Sequence, residues 1–297
     1  MSKIAFSICF QILILAFLTN TCALAGDIGL WDGLITRLSQ EGFDRARLET
    51  LYSRSEVKFE PKTMPKKLLH KEAKLNYSKF LREERIDRAT KFIASHRELF
   101  DKVEKKYGVP ATIKAAILLV ETDLGNYTGK YRIFNILSSM AISEDLEKIK
   151  PWLPKSVAND KNYMKLFKKK AKKKANWAFR ELKALLIYAK KNDIDPVSIK
   201  GSPFGAFGLC QFMPSSVLRF GVDFNRDGKV DLFSLEDALA SMANYLVKNG
   251  WSKDITEKKA FKVILTYNYS RPYANTVLRV AKRIETRLND TTVHSKN

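Results

Sequence analysis

Apolar residues recur every three or four positions along most of the chain beyond residue 27, as in Leu30, Leu34 and Leu38 and again in Phe92, Ile93, Leu99 and Val103. That spacing puts them on one side of an α-helix, whereas a half-buried strand would need strict alternation, which is sparse here. The class predicted is mainly α, with at most a few short strands. Helices are expected at about 28–53, 84–107, 110–123, 130–142, 160–191, 235–249, 256–268 and 272–288. Gly108-Val109-Pro110 marks one boundary, because glycine suits the end of a helix and proline the first turn of the next.

The first residues carry a different pattern. Lys3 precedes an apolar stretch from Ile8 to Leu18, and Ala23-Leu24-Ala25 offers the small residues of a cleavage site. This is the layout of a secretory signal, so residues 1–25 are expected to be removed and residues 26–297 to form a single domain in the periplasm. The apolar run is short for a membrane span. Lipid attachment at Cys22 is the other reading, although Thr19-Asn20-Thr21 lacks the small apolar residues such a site would use. Cleavage after Ala25 removes Cys9 and Cys22 and leaves Cys210 as the only thiol, so no disulfide can form within the chain and a hydrophobic core must stabilise it.

Lys and Arg number 53 against 32 Asp and Glu, a formal charge of +21 that losing Lys3 hardly changes. Such an excess favours a polyanionic partner: cell-wall polymer, anionic lipid headgroups or nucleic acid. Export and the absence of any helix-turn-helix, zinc-ligand or RNA-binding signature argue against nucleic acid. The stretch Lys161–Lys174 holds eight lysines and no acid, while Tyr163, Phe167, Ala171, Ala178, Leu182 and Leu185 keep one apolar face. It reads as a basic amphipathic helix, with either a solvated outer face or a patch that attracts anionic envelope surfaces. No repeat or linker divides the rest, and a monomer is expected.

Ala115-Ala116-Ile117-Leu118-Leu119-Val120-Glu121-Thr122 places one carboxylate at the end of an almost wholly apolar helix, with Gly125 as the expected stop. Desolvation and the negative end of the helix dipole both disfavour its ionised form, which is what a general acid needs near neutrality. A structural ion pair with a buried cation is the other reading of Glu121. Asp123 would point to a different helix face and makes a poor partner carboxylate. Ordinary glycosidases flank the scissile bond with two carboxylates, so a one-carboxylate mechanism is suggested.

Asp223-Phe224-Asn225-Arg226-Asp227-Gly228-Lys229 follows the first half of an EF-hand loop, with side-chain oxygens at positions 1, 3 and 5, glycine at 6 and a backbone carbonyl at 7. The twelfth position is Ser234 instead of Glu, so Asp231 or Asp237 would have to close the ligand set. A metal-free Asx-rich turn is the alternative. Calcium here would be structural.

Taken together, the motifs resemble the lytic transglycosylases of the membrane-bound B type, which share a lysozyme-like core. The resemblance rests on Tyr107-Gly108-Val109-Pro110, Val120-Glu121-Thr122, Gly129-Lys130-Tyr131-Arg132-Ile133, Lys200-Gly201-Ser202 and Gly205-Ala206-Phe207-Gly208. It continues through Gln211-Phe212-Met213-Pro214-Ser215-Ser216, the Asp223 loop, Ala243-Asn244-Tyr245, and Tyr267-Asn268 followed by Tyr273, and covers roughly residues 28–288. It implies that Glu121 is the catalytic acid/base, that Ser202 and Gln211 contact the sugar, and that Tyr245, Tyr267, Asn268 and Tyr273 line the cleft. It also implies that Asp223, Asn225, Asp227 and Asp237 bind Ca²⁺ with the Lys229 carbonyl, and that catalysis needs no cofactor. The chain departs from the pattern at Asp123-Leu124, at Cys210, and in a Lys-rich insertion of about 143–175.

The implied reaction is nonhydrolytic cleavage of the bond between N-acetylmuramic acid and N-acetylglucosamine in peptidoglycan glycan strands, leaving a 1,6-anhydro end. Two alternatives stay open: a muramidase that hydrolyses the same bond with water, and a noncatalytic wall-binding protein that keeps the fold.

Overall fold

The computed structural model describes residues 25–70 and 76–294. Nearly all of the expected export segment lies outside them. Contacts divide the chain into two compact units, Met1–Phe59 and Glu60–Asn297.

In the first unit, α1 (Ala25–Gln40) packs on α2 (Arg45–Tyr52). One helix was expected over 28–53. The break comes at Gly42, which takes φ +89°, followed by Asp44, whose side chain caps α2 by accepting from Arg47 N at 2.7 Å. Trp31 lies 5.2 Å from the Tyr52 ring and meets Phe59 edge-on at 6.3 Å, so three aromatic rings form the centre of this unit.

The second unit begins with α3 (Thr63–Leu69), a 3-10 turn at Ser78–Leu81, and α4 (Glu83–Ser95). Next come α5 (Arg97–Tyr107) and α6 (Ala111–Thr122). The single helix expected over 84–107 is thus two, interrupted at His96, whose φ −123° and ψ 26° are not helical. Gly108 (φ +66°) and Pro110 separate α5 from α6 as their types require.

Beyond α6 lie β1 (Tyr131–Arg132), α7 (Ile133–Ile142), a single helical turn at Lys155–Ala158, α8 (Lys161–Lys191) and β2 (Lys200–Gly201). The chain ends with α9 (Pro214–Phe220), α10 (Leu235–Lys248), α11 (Glu257–Tyr267) and α12 (Arg271–His294). Expected and observed bounds of α8, α10 and α11 agree to within one residue. The expected 130–142 helix starts later, because residues 131–132 pair antiparallel with β2, Tyr131 opposite Gly201 and Arg132 opposite Lys200.

Helix α6 is the hub. It packs against α4, α5, α10 and α12, and Ile113 through Leu119 are all buried, so its apolar residues face protein on every side. Each large aliphatic side chain there contributes about 2 kcal/mol of burial. That packing makes the end of α6 a fixed point, and Glu121 sits in its last turn. Among the described residues, no helix is long and apolar enough to cross a membrane.

Candidate active site

Helix α6 ends at Thr122, before the expected stop at Gly125. Asp123 (φ +54°) and Leu124 (φ +61°) themselves take the left-handed conformation that costs a residue with a Cβ. Two backbone bonds close the end, Asp123 N to Leu119 O at 3.2 Å and Leu124 N to Leu118 O at 3.0 Å. Arg85 and Arg88 on α4 clamp the Asp123 carboxylate at 2.7 and 3.1 Å. Burial pushes that carboxyl up, but hydrogen bonds from Arg88 and Asn126 and the charges of Arg88 and Arg85 outweigh it and hold Asp123 below its ordinary range. It is a structural anion, facing two arginines.

Thr122 ties the same turn to the next loop. Its hydroxyl lies 3.3 Å from Leu118 O and 3.0 Å from Leu209 O, and accepts from Gly125 N at 3.2 Å. Glu121, half-buried between these two anchors, opens on a cavity of about 320 Å³ lined by Asn76, Tyr77, Lys79, Phe80, Val120, Asn268 and Tyr273. The Tyr273 hydroxyl donates to Glu121 Oε1 at 2.7 Å. Tyr273 stands near the start of α12 and is 1% exposed, so packing fixes its hydroxyl at that oxygen.

Behind Tyr273 the other tyrosines stack. The Tyr267 ring lies parallel to Tyr273 at 6.5 Å and edge-on to Tyr245 at 5.1 Å, and Phe212 and Phe220 complete the group. Tyr267 donates to Cys210 O and Tyr245 to Thr266 O, each at 2.5 Å. Desolvation, with the charges of Cys210 and Glu121 adding, pushes the Tyr267 hydroxyl well above its ordinary value; burial likewise pushes the Cys210 thiol up. Both stay protonated near neutral pH.

Of the residues singled out in the sequence, Asn268 and Tyr273 share the cavity wall with Glu121. Tyr245 and Tyr267 form the aromatic backing. Ser202 and Gln211 serve the loop between β2 and α9. Ser202 Oγ accepts from Phe204 N at 3.3 Å and Ala206 N at 3.1 Å, and Gln211 Nε2 donates to Thr128 O and Gly208 O, both at 2.9 Å. The loop packs so closely that a Cβ on Gly129 would lie 2.2 Å from the Gly201 carbonyl, which only glycine allows. Asn76, Tyr77, Lys79 and Phe80 were not anticipated; they fall where no element was expected, and only the Tyr77 to Phe80 spacing hints at a turn of helix.

In the Asp223 loop, backbone amides point at the carboxylates. Asp223 accepts from Asp227 N and Gly228 N, Asp227 from Lys229 N at 2.9 Å, and Asp237 from Phe224 N and Asp231 N, both at 2.8 Å. Asn225 Nδ2 donates to Asp227 Oδ2 at 3.1 Å. Burial, and the neighbouring charge of Asp223, push the Asp237 carboxyl up. The donor atoms are all oxygen, which suits a hard divalent cation. Among the described residues, however, no three acidic, His or Cys side chains converge as a ready metal cluster. Asp231 caps Phe233 N instead.

The family described as Transglycosylase SLT domain matches residues 29–260. Membrane-bound lytic murein transglycosylase B of Escherichia coli (strain K12) is 31% identical over 175 residues, which are 59% of this chain and 41% of that protein. The matched part thus spans about two-fifths of that relative's length. The soluble lytic transglycosylase SltB1 of Pseudomonas aeruginosa has a similar structure, with a TM-score of 0.69 at 24% identity over 85% of this chain and 97% of that one. The Escherichia coli lytic transglycosylase Slt35 in complex with calcium gives 0.69 at 21% identity over 89% of this chain and 95% of that one. At these identities the two structures speak for a common fold.

Proposed function

The chain belongs to the transglycosylase SLT domain family, and we propose that it cleaves peptidoglycan glycan strands at the bond between N-acetylmuramic acid and N-acetylglucosamine without using water. The observation that carries this reading is Glu121: a half-buried carboxyl, held rigidly at the end of a buried helix, on the wall of a cavity of about 320 Å³. Protonated Glu121 donates to the leaving glycosidic oxygen while positive charge develops at C1, where the substrate's own N-acetyl oxygen stabilises it. Glu121, now ionised, takes the proton of the C6 hydroxyl of the same muramic residue, and that oxygen closes onto C1. One carboxyl group serves both halves, and it ends protonated as it began. An intramolecular hydroxyl has a high effective molarity, so no second carboxylate is needed to position water.

Purified sacculi digested with the wild-type protein should release muropeptides lighter by one water than hydrolysed ones. Glu121→Gln should keep the fold and substrate binding and lose turnover. Products with reducing ends only would exclude the reading, and near-normal release by Glu121→Gln would remove Glu121 from it.

We extend the same reading to Ser202, Gln211, Tyr245, Tyr267, Asn268 and Tyr273 as sugar contacts. Export to the periplasm is supported by Lys3, the Ile8–Leu18 stretch and Ala23-Leu24-Ala25. Intact mass of the secreted chain tests it, the expected N-terminus being Gly26. A structural Ca²⁺ would be held by Asp223, Asn225, Asp227, Asp237 and the Lys229 carbonyl; it would brace the loop before α10 and take no part in the chemistry. The protein would act as a monomer, its basic surface drawn to anionic parts of the envelope.

A further inference from the structure

We propose that the outer face of the first half of α8, formed by Tyr163, Leu166, Lys169, Lys170 and Lys173, docks on the surface of an anionic phospholipid bilayer. Successive residues of an α-helix are 100° apart, which places these five on one stripe of the helix. Phe167, Ala171, Ala175 and Ala178 form the buried stripe; Tyr163, expected on that apolar face one turn before Phe167, instead stands exposed at its edge, because the packing against the protein body begins only at Phe167. Tyr163 and Leu166 are 50% and 48% exposed, large apolar side chains turned outward among lysines.

Charge on this face is uncompensated. The helix has a single acid, Glu181, which is buried and caps α9 by accepting from Ser215 N at 3.0 Å and Ser215 Oγ at 2.8 Å. Lys172, on another line of the helix, pairs with Glu144 at 3.3 Å, whereas among the described residues no carboxylate pairs with Lys169, Lys170 or Lys173. Lys165 and Lys169, Lys169 and Lys173, and Lys170 and Lys174 set like charges one turn apart, which weakens a helix in water and is relieved against an anionic surface. Because the rear face is fixed to the protein body, binding requires no folding of the helix, and its ordering entropy is already spent.

A soluble polyanion would satisfy the lysines but would offer Leu166 and the ring of Tyr163 no apolar phase to enter. A lipid surface satisfies both, since apolar side chains flanked by lysines enter the boundary between headgroups and acyl chains. The inference does not depend on the activity proposed above.

The test uses the chain from Gly26 onward, so that the apolar N-terminal stretch cannot bind lipid by itself. Partition into phosphatidylglycerol/phosphatidylcholine vesicles at about 0.1 M salt is compared with partition into phosphatidylcholine alone. Each lysine near an anionic membrane contributes roughly a fivefold gain, so K169E/K170E/K173E should lose at least about a hundredfold in partition, and the triple arginine variant should retain it. Y163S/L166S should lose roughly tenfold on vesicles while its retention on immobilised heparin stays unchanged. Circular dichroism checks that the variants fold. Failure of the wild-type chain to bind the anionic vesicles would overturn the proposal, as would equal partition by the charge-reversed variant. Full vesicle binding by Y163S/L166S would also overturn it and make the face a general polyanion surface; charge-dependent binding to sacculi but not to vesicles would assign it to the wall.

Discussion

Lys114 allows a quantitative test of how α6 is held. It is the one ionisable side chain at a fully buried position of that helix, with no exposed surface, and its ammonium donates to Val109 O at 2.6 Å and lies 3.5 Å from Phe100 O. Burial lowers its pKa from 10.5 to about 8, against an opposing pull from Glu104 and Asp101. Below pH 8 the group is charged in both folded and unfolded chains, and the folded state bears the full desolvation cost. Between pH 8 and 10.5 the folded chain sheds the proton and the unfolded chain keeps it, so stability rises with pH. At 1.36 kcal/mol per pKa unit, the rise totals about 3 kcal/mol. Lys114→Met removes the charge and deprives two carbonyls of a donor, which costs about 1–3 kcal/mol, so near pH 7 the two effects should roughly cancel. The diagnostic is the slope. Urea unfolding of both proteins from pH 7 to 10 should show wild type gaining on the variant, while the upward-shifted Tyr107, Tyr188 and Tyr267 contribute equally to both and drop out. A stability difference independent of pH would refute this account of Lys114.

Tyr273→Phe removes the donor that packing fixes at Glu121 Oε1; turnover of sacculi should fall roughly 10- to 100-fold with KM little changed, and unchanged turnover would remove Tyr273 from the mechanism. Gly129→Ala drives a Cβ into the Gly201 carbonyl and should cost about 3 kcal/mol or more, read as a drop in Tm; a Tm within a degree or so of wild type would show that the loop yields freely. Calcium at a concentration about a hundred times its Kd should stabilise the protein by about 2.7 kcal/mol, and Asp223→Asn with Asp227→Asn should abolish the gain; a Tm insensitive to calcium and chelator would leave the loop a plain turn.

The helical class was legible because burial on one side of a helix forces a period, and the period survives in the sequence wherever a helix is long. Helix α8 shows this: even eight lysines do not disguise the spacing of Phe167, Ala171 and Ala178. Breaks inside a periodic run are harder to read. Gly42 and Asp44 carried recognisable signals, but His96 breaks the run before α5 through its backbone conformation alone. The short elements escaped for the same reason. Two residues are too few to show alternation, and β1 and β2 exist because Gly129 and Gly201 let two backbones approach, a property of the pair that neither segment reveals by itself. No helix was expected at Pro214–Phe220, a seven-residue element too short to show a period, although Pro214 suits its first turn.

For the site, a carboxylate at the end of an apolar helix was visible, because burying a charge there is costly enough to need a reason. Its surroundings were legible only in part: Asn268 and Tyr273 were named through the family resemblance, whereas Asn76, Tyr77, Lys79 and Phe80 reach Glu121 only through tertiary packing. The groups packed near Glu121 bear on the proposal that one carboxyl group acts alone. Asp123, two residues on, is kept ionised by Arg85 and Arg88, while Cys210 and Tyr267 are kept protonated by burial. Each of these three groups is thereby committed to one protonation state near neutrality. In the proposed reaction, where one proton is given and then recovered during a cleavage, none of the three competes with Glu121 as its carrier, and the end of α6 would hold that carrier in the same place for the second step.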